Sequence, residues 1–231
     1  MLRTLIAIPV YNESRSIPSV MQRVIENLPA GHSEQDILAI DDGSSDATPE
    51  LLRKFPINIL RHGRNMGYGQ SLIDAFAFAQ LRGYDWVITM DCDEQHEPSR
   101  IGLFIEEQRK AEALRLAGKP APDVLSGSRY IATMDESTEP PPDRRAINMT
   151  LTAEINDRLG FIPPLTDTFC GFKSHRVSSL QHLNLTETGY AFPMQLWVQM
   201  AARGLLVKEI PVRLIYLDLK RSFGAQLDDP R

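Results

Sequence analysis

The chain has 231 residues, of which 42% are hydrophobic, so it is long enough to bury a full core as a single domain. Its net charge of -5 and its pI of about 5.6 argue against a nucleic-acid-binding protein, since such proteins normally carry a basic face. Its two cysteines, Cys92 and Cys170, are too few for a disulfide framework and indicate a reducing compartment, with the cytoplasm as the expected location.

The first predicted element is a strand from Thr4 to Ile8. Only Arg3 precedes this short apolar run, which ends at Pro9, so the start of the sequence lacks the long apolar region of a signal peptide. Nowhere does the sequence reach the roughly 18 to 20 uninterrupted apolar residues that a membrane-spanning helix requires. We therefore expect that the chain itself does not cross a bilayer.

Short apolar runs and longer segments of helical period alternate after the first strand. The further predicted strands are Asp36 to Ile40, Ile57 to Leu60, Asp85 to Met90 and Asp123 to Ser126. Between them, three helix faces are marked by Val20, Val24 and Leu28, by Leu72, Ile73, Phe76 and Ala79, and by Ile101, Phe104 and Ile105. This alternation predicts an α/β fold with a mostly parallel, Rossmann-like sheet and helices on both faces.

Local signals add detail to this pattern. Thr48, Pro49 and Glu50 are typical of an N-cap, a first helical position and an acidic first turn. The acidic, proline-rich stretch from Thr133 to Asp143 has no apolar period and predicts a mobile loop that closes over bound substrate. After it, a helix side is predicted from Ile147, Leu151, Ile155 and Leu159, and the stretch "LLVKEIPVRLIYL" alternates like a final strand.

Polar clusters follow the first four predicted strands. They are "PVYNE" from Pro9, "DDGSSDAT" from Asp41, "RHGRNMGYG" from Arg61 and "DCDEQHEP" from Asp91. Turns favour such residues for backbone reasons, but ligands of open parallel sheets bind beyond the carboxyl ends of the strands, where all four clusters fall. Gly67 and Gly69 lack the third glycine of a dinucleotide-binding motif, which disfavours a dehydrogenase.

The cluster after the fourth strand has the residues of a metal site. Asp91 and Asp93, one residue apart, can direct oxygens toward a common point, and hard oxygen ligands suit Mg²⁺ or Mn²⁺. Zinc held by Cys92, His96 and Cys170 is the alternative, but it lacks a fourth soft ligand and a usual spacing. We expect Cys92 to point into the core, and His96 is either a hydrogen-bonded loop residue or a catalyst.

Six motifs together carry a resemblance to a known family. In order, "IPVYNE", "DDGSSDAT", "NMGYG", "MDCDEQHEP", "GSRY" and "DTFCGFK" resemble family 2 glycosyltransferases of the GT-A fold, most closely the polyprenyl-phosphate (dolichyl-phosphate) mannose or glucose synthases. The resemblance covers residues 3 to 224. It implies one GT-A domain over residues 1–231, with a nucleotide-sugar-binding half at 1–98 and an acceptor-binding half at 99–231. It also implies transfer from a UDP- or GDP-sugar with inversion at the anomeric carbon.

The resemblance also implies roles for individual residues. The nucleoside would be held by Pro9, Tyr11, Glu13 and Asp42, and the metal and diphosphate would be met by Asp91, Asp93 and Gln95. The metal would stabilise charge on the departing diphosphate, which makes Asp93 a catalytic candidate. Arg129 and Arg144 match the arginines that clamp the acceptor phosphate, although Arg144 also fits a solvated arginine at a helix start.

The acceptor leaves alternatives open. If the acceptor is a hydroxyl of a saccharide or small molecule, Asp167 is the candidate general base, and a third alternative is a catalytically silent nucleotide-sugar-binding protein. If the acceptor is a lipid phosphate, we expect peripheral contact with the inner face of the membrane. The apolar stretch from Leu159 to Leu165 fits either lipid contact or a buried loop.

Overall fold

A computed structural model describes residues 2–132, 138, 140 and 142–215 of the chain. Seven strands form one sheet in the order β3-β2-β1-β4-β6-β5-β7. Strands β1 to β4 are parallel to their neighbours within this group, whereas β6 runs antiparallel to both β4 and β5. The strands are β1 Thr4–Val10, β2 Ile37–Asp41, β3 Asn58–Arg61, β4 Trp86–Thr89, β5 Val124–Ser128, β6 Lys173–Arg176 and β7 Val207–Pro211.

Helices cover both faces of the sheet. They are α1 Ile17–Glu26, α2 Thr48–Leu52, α3 Tyr68–Leu81, α4 Ile101–Leu116, α5 Pro142–Leu159, α6 Val177–Leu180 and α7 Phe192–Ala202. Alternate residues of β1 enter two separate cores, because successive side chains of a strand point to opposite faces. Ile6 and Ile8 pack with residues of α1 and α4, and Leu5 and Ala7 pack with residues of α3 and α7. The predicted α/β fold, mostly parallel with helices on both faces, is confirmed.

The predicted elements match with two corrections. The five early strands and the final strand are present with ends shifted by a few residues, but the sequence analysis missed β6, whose four residues "KSHR" carry three basic side chains. Helix α2 begins at Thr48 itself, after Ala47 as N-cap. Just before the helix, Asp46 Oδ1 accepts the backbone N–H of Thr48 at 3.0 Å.

Helix α5 buries a different side from the one that its apolar spacing predicted. Ile155 is buried, but Ile147 is 58% exposed. Asn148 and Thr152 lie on the buried side instead, since each hydrogen-bonds to a buried residue of the 166–168 region. A polar network therefore determines how α5 packs.

Two sequence predictions concern surface segments. The proposed mobile loop from Thr133 to Asp143 lies mostly outside the described residues. In the stretch from Leu159 to Leu165, Leu165 is buried, whereas Ile162 is 93% exposed, so the interpretation as a wholly buried loop is wrong and lipid contact stays a prediction. Among the described residues, no helix combines the length and the hydrophobicity needed to span a bilayer.

Candidate active site

A cavity of about 550 Å³ opens between the loops that follow β1 and β4. Four of the predicted site residues line it together, namely Tyr11, Glu13, Asp93 and Gln95. Arg15 and Asp46 line it as well, although neither was predicted as a site residue. The loops meet here because parallel strands bring their carboxyl ends to one edge of the sheet.

Hydrogen bonds between the first two loops form one wall of this cavity. The backbone N–H of Glu13 donates to Thr48 Oγ1 at 2.8 Å, and that of Ser14 donates to Asp46 Oδ2 at 3.2 Å. The slight burial of Asp46 raises its pKa, but hydrogen bonds from Thr48 and Ser14 outweigh this and lower the pKa to about 2. Asp46 is therefore a charged anchor between the two loops, a role that becomes visible only in three dimensions.

The loop of residues 91–97, which we call the metal loop, carries the paired aspartates. Asp93 Oδ1 accepts the backbone N–H of Gln95 at 3.1 Å, and Asp91 Oδ1 accepts the hydroxyl of Tyr68 at 3.3 Å. On its other side, Asp91 Oδ2 lies so close to Gly171 that a Cβ there would approach it to 2.5 Å. Burial raises the pKa of Asp91, and the charge of Asp93 adds to this, while His96, whose Nε2 lies 3.7 Å from Asp91 Oδ2, acts in the opposite direction. A bound cation would relieve this repulsion.

The metal loop fits a hard divalent cation. Within residues 2–132, 138, 140 and 142–215, no group of three or more His, Cys, Asp or Glu side chains is arranged to hold a metal ion. One or two carboxylates are what Mg²⁺ usually takes from a protein, because it shares waters and substrate phosphate oxygens as well. Zinc would need a closed set of four ligands in a structural site or three in a catalytic one.

His96 and Cys92 have structural surroundings. The Nδ1 atom of His96 accepts the backbone N–H of Asp91 at 2.9 Å, and the ring stacks on Phe172 at 5.4 Å between centroids. This geometry favours the interpretation of His96 as a hydrogen-bonded loop residue. Cys92 is buried in the core, as predicted.

Pro9 and Asp42, two of the residues predicted to hold the nucleoside, do not line the cavity. The Asp42 carboxylate instead accepts the backbone N–H groups of Met66 at 2.7 Å and Gly67 at 2.9 Å. Nδ1 of His62 lies 2.7 Å from Asp42 Oδ1. Asp42 thereby fixes the turn that leads into α3. Its role in nucleoside binding stays a prediction.

Arg129 and Asp167 form a buried cluster at the end of β5. Nε and Nη2 of Arg129 donate to the two oxygens of Asp167 at 2.6 and 2.9 Å. Asp167 also accepts the side-chain amide of Asn148 at 3.0 Å and the backbone N–H groups of Arg129 and Phe169, each at 3.2 Å. Burial alone would raise the pKa of Asp167, but the Arg129 charge and these hydrogen bonds lower it.

Two residues that were not predicted as site residues lie next to this cluster. The carboxylate of Glu209 in β7 accepts the backbone N–H groups of Thr166 and Asp167 at 2.9 and 3.0 Å. Lys173, at the start of β6, is buried and donates to the carbonyl oxygen of Cys170, and burial lowers its pKa. Arg144 lies partly buried in the first turns of α5, one turn before Asn148.

Comparison with known proteins gives a consistent result. The sequence profile described as "Glycosyl transferase family 2" matches residues 5–182. The chain is 28% identical to the undecaprenyl-phosphate mannosyltransferase of Micrococcus luteus, over 96% of this chain and 87% of that protein. It is 26% identical to the polyprenol monophosphomannose synthase of Mycolicibacterium smegmatis, over 91% of this chain and 76% of that protein.

A solved structure supports the fold. Glucosyl-3-phosphoglycerate synthase from Mycobacterium tuberculosis, in complex with Mn²⁺, UDP and phosphoglyceric acid, superimposes with a TM-score of 0.66. The match covers 91% of this chain and 68% of that chain at 18% sequence identity, and at that identity it establishes a shared fold only.

Proposed function

The chain belongs to glycosyl transferase family 2 and has its GT-A fold, and we propose that it transfers a sugar from a UDP- or GDP-sugar to a polyprenyl phosphate with the help of Mg²⁺ or Mn²⁺. Of the two relatives compared above, one is named as a mannosyltransferase of undecaprenyl phosphate and the other as a synthase of polyprenol monophosphomannose. The observation that carries the acceptor assignment is the saturated carboxylate of Asp167.

Asp167 is poorly suited to remove a proton from a hydroxyl acceptor. Its two oxygens accept five hydrogen bonds, two of them from the guanidinium of Arg129, and its lowered pKa makes it a weak base. A phosphate acceptor needs no such base, because its second pKa near 6 leaves it largely dianionic at neutral pH. The cluster therefore fits orientation of an anion better than general-base catalysis.

Arg129 is held so that part of its guanidinium can face a substrate. The pair with Asp167 uses the edge formed by Nε and Nη2, and a guanidinium has a second edge, formed by Nη1 and Nη2, that matches two phosphate oxygens. The Arg129 side chain is 15% exposed while Asp167 is fully buried. We propose that Arg144 supplies a second positive charge from α5.

The donor would occupy the cavity between the first loop and the metal loop. Tyr11 is exposed there and offers an aromatic face for a nucleobase, and Glu13 lies on the same wall. Asp91 and Asp93, with Gln95, would hold the metal ion. A bound Mg²⁺ or Mn²⁺ supplies Lewis-acid stabilisation of the charge that develops on the diphosphate leaving group.

We further propose that an oxygen of the acceptor phosphate attacks the anomeric carbon from the side opposite the diphosphate, which inverts the configuration. The cavity lies within residues 1–98 and the Arg129–Asp167 cluster within residues 99–231, which supports the proposed division into donor and acceptor halves. A lipid acceptor would be met at the inner face of the membrane by peripheral contact.

The experiment compares two acceptors that differ only in the reacting group. The protein is incubated with Mn²⁺, a panel of UDP- and GDP-sugars, and either undecaprenyl phosphate or undecaprenol, and the lipid product is identified by mass spectrometry. We expect a glycosylated undecaprenyl phosphate and no product from undecaprenol. Transfer to undecaprenol, with none to undecaprenyl phosphate, would contradict the proposal.

A further inference from the structure

Tyr68, the first residue of α3, touches the metal loop but has no part in the mechanism above. Its hydroxyl lies 3.3 Å from Oδ1 of Asp91, and its ring is parallel to that of Tyr190, with 6.1 Å between centroids and 9° between planes. A phenol hydroxyl is a hydrogen-bond donor, whereas an ionised carboxylate can only accept. Tyr68 therefore restrains one of the two Asp91 oxygens.

We propose that Tyr68 is a positioning residue for the metal-binding carboxylate of Asp91, and that residues 184–190 hold Tyr68 in place. This inference rests on the proposed function, because it takes Asp91 to be a metal ligand. Groups that orient a metal ligand from behind reduce the freedom that the ligand loses when the ion binds. Tyr68 would thus raise the affinity for the ion without touching it.

Residues 184–190, which we call the strap, pack directly on the start of α3. The backbone N–H of Gln70 donates to the carbonyl of Thr188 at 3.1 Å. Gly67 has a φ of +102°, and a Cβ there would lie 2.3 Å from the same carbonyl oxygen. A side chain at Gly67 would therefore push the strap away, so the glycine allows the contact that places Tyr190 beside Tyr68.

Helix α7 anchors the strap through two glutamines one turn apart. Gln195 Oε1 accepts the backbone N–H groups of Thr186 and Glu187 at 2.8 and 2.9 Å. Gln199 binds both backbone groups of Asn184, accepting its N–H and donating to its carbonyl, each at 2.6 Å. The strap is thus fixed to α7 at one end and stacked on Tyr68 at the other.

The hydroxyl of Tyr68 is a hydrogen-bond donor at neutral pH, because the ordinary pKa of a tyrosine lies near 10. It therefore donates to Asp91 Oδ1, which lies 3.3 Å away. On the other side of Asp91, the backbone at Gly171 lies so close that a Cβ on this glycine would approach Asp91 Oδ2 to 2.5 Å. Asp91 Oδ2 therefore has no space to move toward that backbone.

The test is the Mn²⁺ dependence of nucleotide binding in Tyr68→Phe, which removes one oxygen and keeps the ring. Binding of UDP and of GDP is measured by calorimetry without Mn²⁺ and over a range of Mn²⁺ concentrations. We expect the Mn²⁺ concentration for half-maximal binding to rise about tenfold, the lower end of the effect of losing a residue that orients a metal ligand. Binding without Mn²⁺ should be unchanged.

Tyr84→Phe is the matched control. Tyr84 is a buried tyrosine whose hydroxyl also faces an aspartate, Asp36 Oδ1, at 3.2 Å, but it lies before β4, at the opposite edge of the sheet from Asp91. Its variant should keep the Mn²⁺ dependence of the wild-type protein. The same Mn²⁺ dependence in Tyr68→Phe and Tyr84→Phe would overturn the proposed role of Tyr68.

Two further outcomes are separable from this one. If wild-type protein binds UDP or GDP equally well with and without Mn²⁺, the proposed metal site itself is wrong, whatever Tyr68 does. If Tyr68→Phe does not fold, Tyr190→Ala replaces it, since Tyr190 is 57% exposed and its truncation leaves the core intact. Loss of the stacked ring should then raise the required Mn²⁺ concentration severalfold, and no change would overturn the proposal.

Discussion

The metal loop and the Arg129–Asp167 cluster both place a carboxylate beside the same sheet, yet the two carboxylates are surrounded in opposite ways. In the described part of the chain, Asp93 accepts one hydrogen bond, from its own loop, and borders an open cavity. Asp167 is fully buried and accepts five. A carboxylate with unused acceptor sites is available to a cation, whereas a saturated one serves to orient its donors.

The first prediction removes the open carboxylate and has the largest expected effect. Asp93→Asn keeps the shape of the side chain and loses its charge, so a divalent cation would be held weakly. We expect the transfer rate with saturating acceptor to fall at least about 100-fold, since Lewis-acid stabilisation of a leaving group is worth several kcal/mol. The thermal unfolding midpoint should stay close to that of the wild type.

The control for this variant is Asp157→Asn, which changes an exposed aspartate on α5 in the same way. It should leave the transfer rate unaltered. Full activity of Asp93→Asn in the presence of EDTA would show that the open carboxylate does not hold a catalytic cation, and the contrast between the two carboxylates would lose its functional meaning.

The second prediction breaks the saturated carboxylate by removing its principal donor. Arg129→Ala leaves the buried Asp167 without its charge partner, and breaking a buried pair in this way costs about 3 to 5 kcal/mol. We expect a loss of unfolding free energy near the lower end of that range, measured by urea denaturation, and a strongly raised acceptor KM. Nucleotide binding, followed by calorimetry, should not change.

Arg129→Lys sharpens the same contrast. A lysine keeps the positive charge beside Asp167, but its ammonium group lacks the two planar edges of a guanidinium. It therefore cannot pair with Asp167 through one edge and with two phosphate oxygens through the other. It should therefore recover most of the lost stability and little of the lost acceptor affinity. Equal recovery of both would show that the second guanidinium edge has no part in acceptor binding.

The third prediction concerns Arg144, in the first turns of α5. Arg144→Ala should raise the acceptor KM by roughly tenfold, because a charge-assisted hydrogen bond contributes about 1.5 to 3 kcal/mol. Stability should change little, since this residue is only partly buried. Arg145→Ala, on the neighbouring exposed position, is the control. An unchanged KM in Arg144→Ala would favour the alternative of a solvated arginine at a helix start.

The comparison of the two regions also shows where sequence reasoning succeeds. The alternation of apolar runs predicted the sheet, and the sheet then brought Tyr11, Glu13, Asp93 and Gln95 to one cavity, because strand ends in a parallel sheet share an edge. These residues lie in loops directly after strands, so the position of each follows from local signals alone.

The Arg129–Asp167 cluster was harder to predict, because its contacts join distant parts of the chain. Asn148 is a polar residue within a helix whose apolar spacing pointed to another face, and its partner Asp167 lies 19 positions away. Glu209 supports the same cluster across 42 positions. Neither contact leaves a periodic or short-range pattern, so the sequence predicted Arg129 and Asp167 as candidates but not their ion pair.

The last prediction is that pH has almost no effect on the transfer rate between pH 7 and pH 9, and the two acceptor classes are then separated at lower pH. Because Arg129 and the surrounding donors hold the pKa of Asp167 below its ordinary value near 3.9, this carboxylate is ionised and saturated throughout the range from pH 7 to pH 9. Raising the pH in that range therefore creates no new base.

A polyprenyl phosphate acceptor is already largely dianionic between pH 7 and pH 9, so we expect the transfer rate to vary by less than about twofold. The rate should be measured with saturating donor, acceptor and Mn²⁺. A hydroxyl acceptor that depends on Asp167 would show its difference at lower pH: its rate would rise about tenfold per pH unit as the base loses its proton, and Asp167→Asn would abolish that rise. A rise that comes from the second ionisation of a phosphate acceptor, near pH 6, would remain in Asp167→Asn. Such a profile, together with indifference to the changes at Arg129 and Arg144, would mean that the saturated carboxylate opens during catalysis and that the acceptor is a hydroxyl.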